Sequence, residues 1–355
     1  MAVAVTPLGR YLARAAWEEA RILARRQPIE ELVADPATPP ELRGKLQLVL
    51  AAREFATDSL GLSAGESFTQ FTQLDSDTLV MVLSAAYRDR LAYRTWWFPI
   101  VGRVPYKGFF SLSDALAAER QMDEAGLDTY LRPASAFSTL GWFNDPLVSS
   151  TLRADSLRLV DTVIHEILHS TFYASGQAVF NESFANFVGA RGSQRFFEAR
   201  SDTAAVRRIE DRWHDQKQFG EFWTAVASAV DAAYANHPSD SAARVAARDS
   251  AFRRMRVELE VTVGPQLRTI DRNFLPQVRI DNARLMAQRI YLTELQLFDL
   301  AWYLEGRDLR RTIDRVIGLA RSRPRDPYGA VRDWVDAQLV PMLPASGGWL
   351  PAGTH

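Results

Sequence analysis

Cysteine is absent from the 355-residue chain. That absence excludes disulfides, a Cys-ligated zinc site, a thiol nucleophile and a lipid-modified N-terminal cysteine. It leaves the compartment open, because a reduced cytosol and an oxidising periplasm both tolerate a Cys-free chain. Long apolar runs are missing as well. No stretch reaches the roughly eighteen apolar residues that read as a membrane-spanning helix. The N-terminal MAVAVTPLGRYLARAAWEEAR has no basic segment followed by a long apolar core, so no signal peptide is read there. A cytoplasmic location agrees with this, and so does a periplasmic or envelope location behind a removed signal. Excess charge of one sign is lacking too. Lys and Arg total 42 against 43 Asp and Glu, for a net charge of -1. Nothing in that balance supports a nucleic-acid or anionic-membrane partner. Histidine is scarce, with five in all.

What remains is an ordinary globular composition, 47% hydrophobic and 24% charged, in a chain long enough for a sizeable core. Helical patterns run over 8–26 and 41–58, separated by the proline-rich turn 35–40. The apolar stretch 77–93 fits a buried helix or a strand–helix pair. From Thr95 the segment TWWFPIVGRVPYKGFF reads as short strands joined by tight turns, its aromatic residues as core. A helix follows over 111–125, started by Ser111-x-x-Asp114 and stopped by Gly126, and then a strand over 128–132. That strand could take an extended peptide by β-addition or serve as an ordinary sheet strand. Beyond a helix at about 154–174, helices are predicted from near 181, at 203–236, 239–263, 281–304, 308–321 and 328–339. The tail 341–355 is expected to be poorly ordered. The regions expected are thus 1–94 (helical), 95–200 (catalytic core), 201–340 (helical) and 341–355 (tail).

Two of the five histidines fall in His165-Glu166-Ile167-Leu168-His169. On a helix, positions i and i+4 lie on one face, one turn apart. Two neutral imidazoles there can reach one zinc ion. Glu166, about 100° further round, can address a water on the metal without being a ligand. The uncharged Val163, Ile164, Ile167 and Leu168 suit a helix buried beneath a site. A catalytic zinc needs a third protein ligand, and Glu182 is the candidate. It sits at the start of the next helix, which a turn at Ser175-Gly176 can bring back antiparallel; the alternative is a Glu that merely favours the positive end of its helix. Asn186 and Asp161 are placed to hydrogen-bond a metal-bound histidine, or else belong to solvated helix faces.

HEILH followed by NESFAN resembles the gluzincins, zinc peptidases whose third ligand is Glu. NESFANFVG is similar to the Asn-Glu-Gly-Phe-Ala segment of the alanyl-aminopeptidase group. A fuller resemblance is to the bacterial family described as "putative aminopeptidase". It is carried by WWFPIVGRVPYKGFF at 96–110, STLGWFNDPL at 138–147 and FNESFANFVG at 180–189, and runs from about residue 8 to about residue 320. The resemblance implies an α+β, mainly helical fold: a small mixed zincin-like sheet beside the HExxH helix, and a helical C-terminal half. It also implies Zn2+ on His165, His169 and Glu182, a peptide substrate and removal of N-terminal residues.

Two features depart from these relatives. No lipoprotein-type signal, with which many relatives begin, is read at the start of this sequence, and the Gly-Ala-Met-Glu-Asn loop with which the alanyl-aminopeptidase group reads a substrate amine does not occur in it. Asp145, just before the zinc helix, is the nearest acidic candidate for that amine, or a turn-former with Pro146. For the oxyanion of peptide hydrolysis, Tyr291 is the candidate donor and Tyr173 its rival; either could instead pack. His214 and His237 lie in helix and turn contexts without a motif. Peptide hydrolysis with Glu166 as general base is the leading expectation. A catalytically inactive zincin-fold scaffold or binding protein, and a zinc hydrolase of non-peptide amides, are the alternatives.

Overall fold

The computed structural model describes residues 7–74, 81–98, 102–133 and 146–339. Over these residues the protein is mainly helical with small sheets. The tail from 340 and most of the 138–147 segment fall outside them. No helix among the described residues is long and apolar enough to cross a membrane.

The N-terminal part holds α1 (Pro7–Ala24), β1 (Gln27–Pro28), α2 (Ile29–Ala34) and α3 (Pro40–Asp58). Pro40 begins α3, where its fixed φ fits and its missing N–H is no loss. Strands β2 (Gln70–Thr72) and β3 (Met81–Ala86) follow, then the hairpin β4 (Trp96–Phe98) and β5 (Gly102–Val104). Next come β6 (Tyr106–Phe109), α4 (Leu112–Glu124), β7 (Asp128–Pro133) and β8 (Leu147–Val148).

The stretch 77–93, open between helix and strand from its pattern, supplies the middle strand of a sheet ordered β6-β3-β7. This sheet therefore lies on both sides of residue 95. Both of its pairings are antiparallel, with Leu83 opposite Lys107 and Leu131. The mixed sheet is a different one, β1-β2-β8, and its Phe71 and Leu147 share the core of the HExxH helix. A small sheet was expected beside that helix between Thr95 and Arg132. The antiparallel sheet found there instead packs its Leu83 and Phe109 on Ala115 of α4, in a core of its own. Side chains alternate across a strand. With Leu131 turned to α4, Tyr130 and Arg132 face the opposite side.

From Ser156 the protein is helical: α5 (Ser156–Thr171), α6 (Ala178–Glu198), α7 (Thr203–Ala235), α8 (Ser241–Glu258), α9 (Asn282–Leu292), α10 (Leu295–Leu304), α11 (Leu309–Ser322) and α12 (Pro327–Leu339). The pattern read as one helix over 281–304 is broken between α9 and α10. Glu294 adopts a left-handed φ of 51° there. Long-range partners hold the break: Tyr328 Oη donates to Thr293 O (3.1 Å), and Arg332 Nη2 binds both Glu294 carboxylate oxygens (2.6 and 2.7 Å). No local breaker marks it. Helix α8 likewise stops at Glu258 and continues as a π turn over Leu259–Val263.

Helix α6 is the centre of the fold. Phe180, Phe184 and Phe187 are buried along it and pack on Phe298 of α10, Phe187 stacked and Phe180 edge-on, while Phe187 meets Trp213 of α7 edge-on. Burial of each such ring is worth about 1.5–3 kcal/mol. Helix α5 lies against α6 with Leu157, Val160, Val163, Ile164, Ile167 and Leu168 buried, the i, i+3, i+4 stripe of a core-facing helix. Its start is fixed by Asp155, whose carboxylate accepts from Arg158 N (2.9 Å) and from Arg212 Nη1 and Nη2 (3.2 and 2.7 Å).

The Arg212 hydrogen bond holds the Asp155 carboxyl down at about 2, against its usual 3.8. A depressed carboxylate stabilises the fold above its unfolded value, and that contribution disappears as the pH falls from 3.8 towards 2. Asp155→Ala should lower stability at neutral pH by about 1 kcal/mol, the size of a lost helix cap. Asp155→Asn, which keeps a capping oxygen, should lose less. Urea unfolding of the three proteins at pH 7 reads this; equal midpoints would show that the cap contributes nothing.

Candidate active site

Two glycines let α6 approach α5. A Cβ on Gly189 would run into the Asp161 carboxylate and lie 2.9 Å from the Asp161 carbonyl oxygen; one on Gly192 would lie 2.9 Å from Ile164 Cγ2. The turn between the helices closes at Gly176, whose φ is +75°. Asn181 locks it: its Oδ1 accepts from Ala174 N (2.9 Å) and its Nδ2 donates to Ala174 O (2.8 Å). The next residue, Glu182, is thereby turned towards the His165–His169 face of α5.

His165, His169 and Glu182 offer ligand atoms that all lie within 4.8 Å of one another. Nε2 of His165 and Nε2 of His169 are 3.2 Å apart. Glu182 Oε2 is 3.4 Å from His165 Nε2, and Oε1 is 3.5 Å from His169 Nε2. Ligands about 2.0–2.1 Å from a tetrahedral zinc stand about 3.3–3.4 Å from each other, so the donor set matches that ion in type and spacing.

The charges agree with a cation site. Burial pushes the Glu182 carboxyl up, but hydrogen bonds from both histidines outweigh it and hold the group at about 2. At His165, burial disfavours the imidazolium, yet Glu182, Glu166 and Asp161 reverse the balance and the net direction is up. Burial also pushes the Asp161 carboxyl, one turn before His165, up to about 6 against the pull of that histidine. Glu166 is half-buried beside the triad, and its carboxylate has no hydrogen-bond or ion-pair partner among the described residues.

Tyr291 comes from α9, more than a hundred residues away, and reaches the same place. Its phenol is pushed up by burial and then by the nearby Glu182, with Arg132 opposing, so it stays protonated at neutral pH. Asn186 was expected to support a metal-bound histidine. Instead its Nδ2 donates to Tyr291 O (2.7 Å), because α9 packs against α6 and offers a carbonyl from its last turn, which has no partner within the helix. Ser183 acts similarly: its Oγ donates to Ile290 O (3.3 Å) and accepts from Thr293 N (3.2 Å). Tyr173 is exposed, its ring edge-on to that of His169 with 6.2 Å between centroids. His214 Nε2 lies 3.1 Å from Gln266 O, and Asp145 lies outside the described residues.

Two residues near the site had not been singled out. Arg132, at the end of β7, and Tyr93, bridged to the end of β3, both bear on Tyr291. The signal available for Arg132 was the strand itself, in which it shares a face with Tyr130.

The structure is thus a mainly helical protein whose described residues bring a His-His-Glu donor set and a free carboxylate together on two adjoining helices. Over residues 10–327 the chain matches the family model described as "Putative aminopeptidase", and it belongs to that family. No curated protein and no solved structure matches it.

The close approach at Gly189 can be checked. On helix propensity alone, Gly189→Ala would stabilise α6 by about 1 kcal/mol. Overpacking against Asp161 should reverse the sign and cost about 1–3 kcal/mol. Urea denaturation decides; a more stable variant would show that α5 and α6 have room to spare.

Proposed function

We propose that the protein is a zinc-dependent peptidase of gluzincin type, with zincin-like catalytic geometry, that removes N-terminal residues from peptides. The observation that carries this reading is the mutual spacing of 3.2–3.5 Å among His165, His169 and Glu182, with the Glu166 carboxylate beside them and without a hydrogen-bond or ion-pair partner among the described residues. Membership of the family supports a peptide substrate. A zinc ion held by the three residues would supply a Lewis acid that polarises the scissile carbonyl and makes water acidic enough to deprotonate near neutral pH.

The protein's own groups do the rest. Glu166 accepts the proton of the attacking water on a carboxylate oxygen and delivers it to the leaving amine, so the base of the first step is the acid of the second. The protonated Tyr291 phenol donates a hydrogen bond to the carbonyl oxygen as negative charge develops on it. Asp161 orients His165 from behind, as the charge interaction between them favours. Asn186 and Ser183 act one step further out, through the backbone of α9, by fixing where Tyr291 stands.

The ligand roles and the base role separate by mutation. His165→Ala and His169→Ala should each remove most of about one zinc per chain, measured by metal analysis after gel filtration. Glu166→Gln should retain the zinc and lose about 10²-fold or more in turnover. Full zinc content in the double histidine variant would sink the metal site, and full activity of Glu166→Gln would sink the mechanism.

Removal of N-terminal residues has a separate test. An aminopeptidase must hold a free α-ammonium near the reacting bond, and a desolvated cation without a counter-charge costs several kcal/mol, so an acidic partner is required. Matched short peptides with free and acetylated N-termini should differ at least about tenfold in kcat/KM, the effect of one such charge pair. Equal cleavage of both would exclude obligate aminopeptidase action.

A further inference from the structure

Arg132 is a half-buried guanidinium with no carboxylate partner among the described residues. Its one recorded backbone contact is a 3.5 Å approach of Nη1 to the neighbouring Pro133 carbonyl. Buried Arg248 is matched to Asp128 and half-buried Arg191 to Asp299, whereas half-buried Arg43 and Arg53 direct their donors to backbone carbonyls and Arg94 and Arg284 lie over aromatic rings; Arg132 is set apart from these by its place beside the site. A guanidinium removed from water without a counter-charge is unfavourable, and its five N–H donors call for acceptors.

Its position follows from the framework. Helix α9 and strand β7 start together, with Asn282 N donating to Asp128 Oδ2 at 3.0 Å. They then run the same way, and Arg284 lies 5.1 Å over the Tyr130 ring. From Asp128 to Arg132 an extended strand rises about 14 Å. From Asn282 to Tyr291 a helix rises the same distance, about 14 Å. Arg132 therefore draws level with Tyr291, on the strand face turned away from α4. The mutual influence of the two side chains agrees with this. On its other side the end of α9 is bonded to α6 through Asn186, four residues after Glu182. Arg132 thus borders the proposed reaction site from the side opposite the histidines.

We propose that Arg132 binds a carboxylate of the peptide substrate and so determines which peptides the site accepts. The planar fork of arginine matches a carboxylate with two parallel hydrogen bonds, which a carbonyl cannot offer. The carboxylate comes either from the peptide's C-terminus, which would limit action to short peptides, or from an acidic side chain near the scissile bond. This assignment rests on the peptidase reading above for the identity of its ligand.

The test uses binding without turnover. Calorimetry on the full-length, zinc-loaded Glu166→Gln protein compares Ala-Ala-Ala with its C-terminal amide, and Ala-Glu-Ala amide with Ala-Gln-Ala amide. In one of the two pairs the carboxylate peptide should bind about tenfold or more tighter than its neutral match, a difference typical of a charge-assisted pair. The first pair reports a terminal carboxylate and the second a side chain. Adding Arg132→Gln should erase that gap and leave the neutral peptide's affinity and the zinc content unchanged, while Arg132→Lys keeps part of it. Equal affinities within both pairs would overturn the assignment before any Arg132 variant is made. A gap that survives Arg132→Gln would overturn it as well, as would an equal loss for charged and neutral peptides, which would make Arg132 a donor to the peptide carbonyl instead. Failure of the wild-type protein to hydrolyse any of the four peptides would count against the peptidase reading alone, since the binding comparison requires no hydrolysis.

Discussion

Three side chains from two helices can bring their polar atoms within 3.2–3.5 Å of one another only if the helices are both close and held in one register. Packed helices usually lie 8–10 Å apart, the distance depending on the side chains at the contact. At the crossing of α5 and α6 those side chains are removed by Gly189 and Gly192, so Asp161 and Ile164 rest against backbone. Closeness alone would still leave α6 free to slide. Asn181 prevents this by closing the turn on both polar groups of Ala174, one residue ahead of Glu182. Every other feature of the site presupposes that contact.

Magnitudes separate what places α6 from what tunes it. The aromatic cluster of Phe180, Phe184, Phe187 and Phe298 accounts for burial worth about 1.5–3 kcal/mol per ring. A side-chain hydrogen bond contributes about 1 kcal/mol net. The core therefore decides where α6 lies, and the polar residues of Asn181-Glu182-Ser183-Phe184-Ala185-Asn186 decide its fine register and what it touches. Asn181 faces back to the turn, Glu182 faces α5, and Ser183 and Asn186 face the end of α9. The far end of α9 is fixed independently. Asp128, buried at the start of β7, accepts from Arg88, Arg248 and the Asn282 backbone, and the Asn282 side chain binds Tyr87 O and Tyr234 Oη. Helix α9 is thus tied at its start to the sheet and at its end to α6, which leaves Tyr291 little freedom.

The parts of this arrangement that were legible in the sequence are local. HEILH and NESFAN each fit within two helical turns, and the glycine turn between them is short, so spacing alone brought His165, His169 and Glu182 together. Most helix positions followed from periodicity and from Pro, Gly, Ser and Asp at their ends. The rest depends on contacts across long separations. The strand character of 81–86 comes from pairing with β6 and β7 on either side, which no local pattern encodes. The break at Glu294 is held by Arg332 and Tyr328. Asn186 sits at the right place to serve a histidine and is instead taken up by α9, whose docking could not be foreseen from either segment. Arg132 was visible only as the end of a strand, because its significance needs α9 alongside.

The division between helices and sheet also divides the chemistry. The proposed metal donors and the proposed base lie on α5 and α6, whose positions are set by the largest core among the described residues. Tyr291 lies on α9, whose Leu285 belongs to a second core with α7 and α8. Arg132 lies on a strand whose inner face belongs to a third, small core with α4. Core size limits how much free energy resists local distortion, so resistance should fall in that order. Groups that must hold a fixed geometry for bond breaking sit on the most heavily buried elements. The group that would meet a variable part of the substrate sits on the least. A substitution in the α4 core, such as at Leu83, would on this basis shift Arg132 while leaving the His165–His169–Glu182 spacing intact, whereas one at Phe184 would act on the core that places α6 and hence on that spacing.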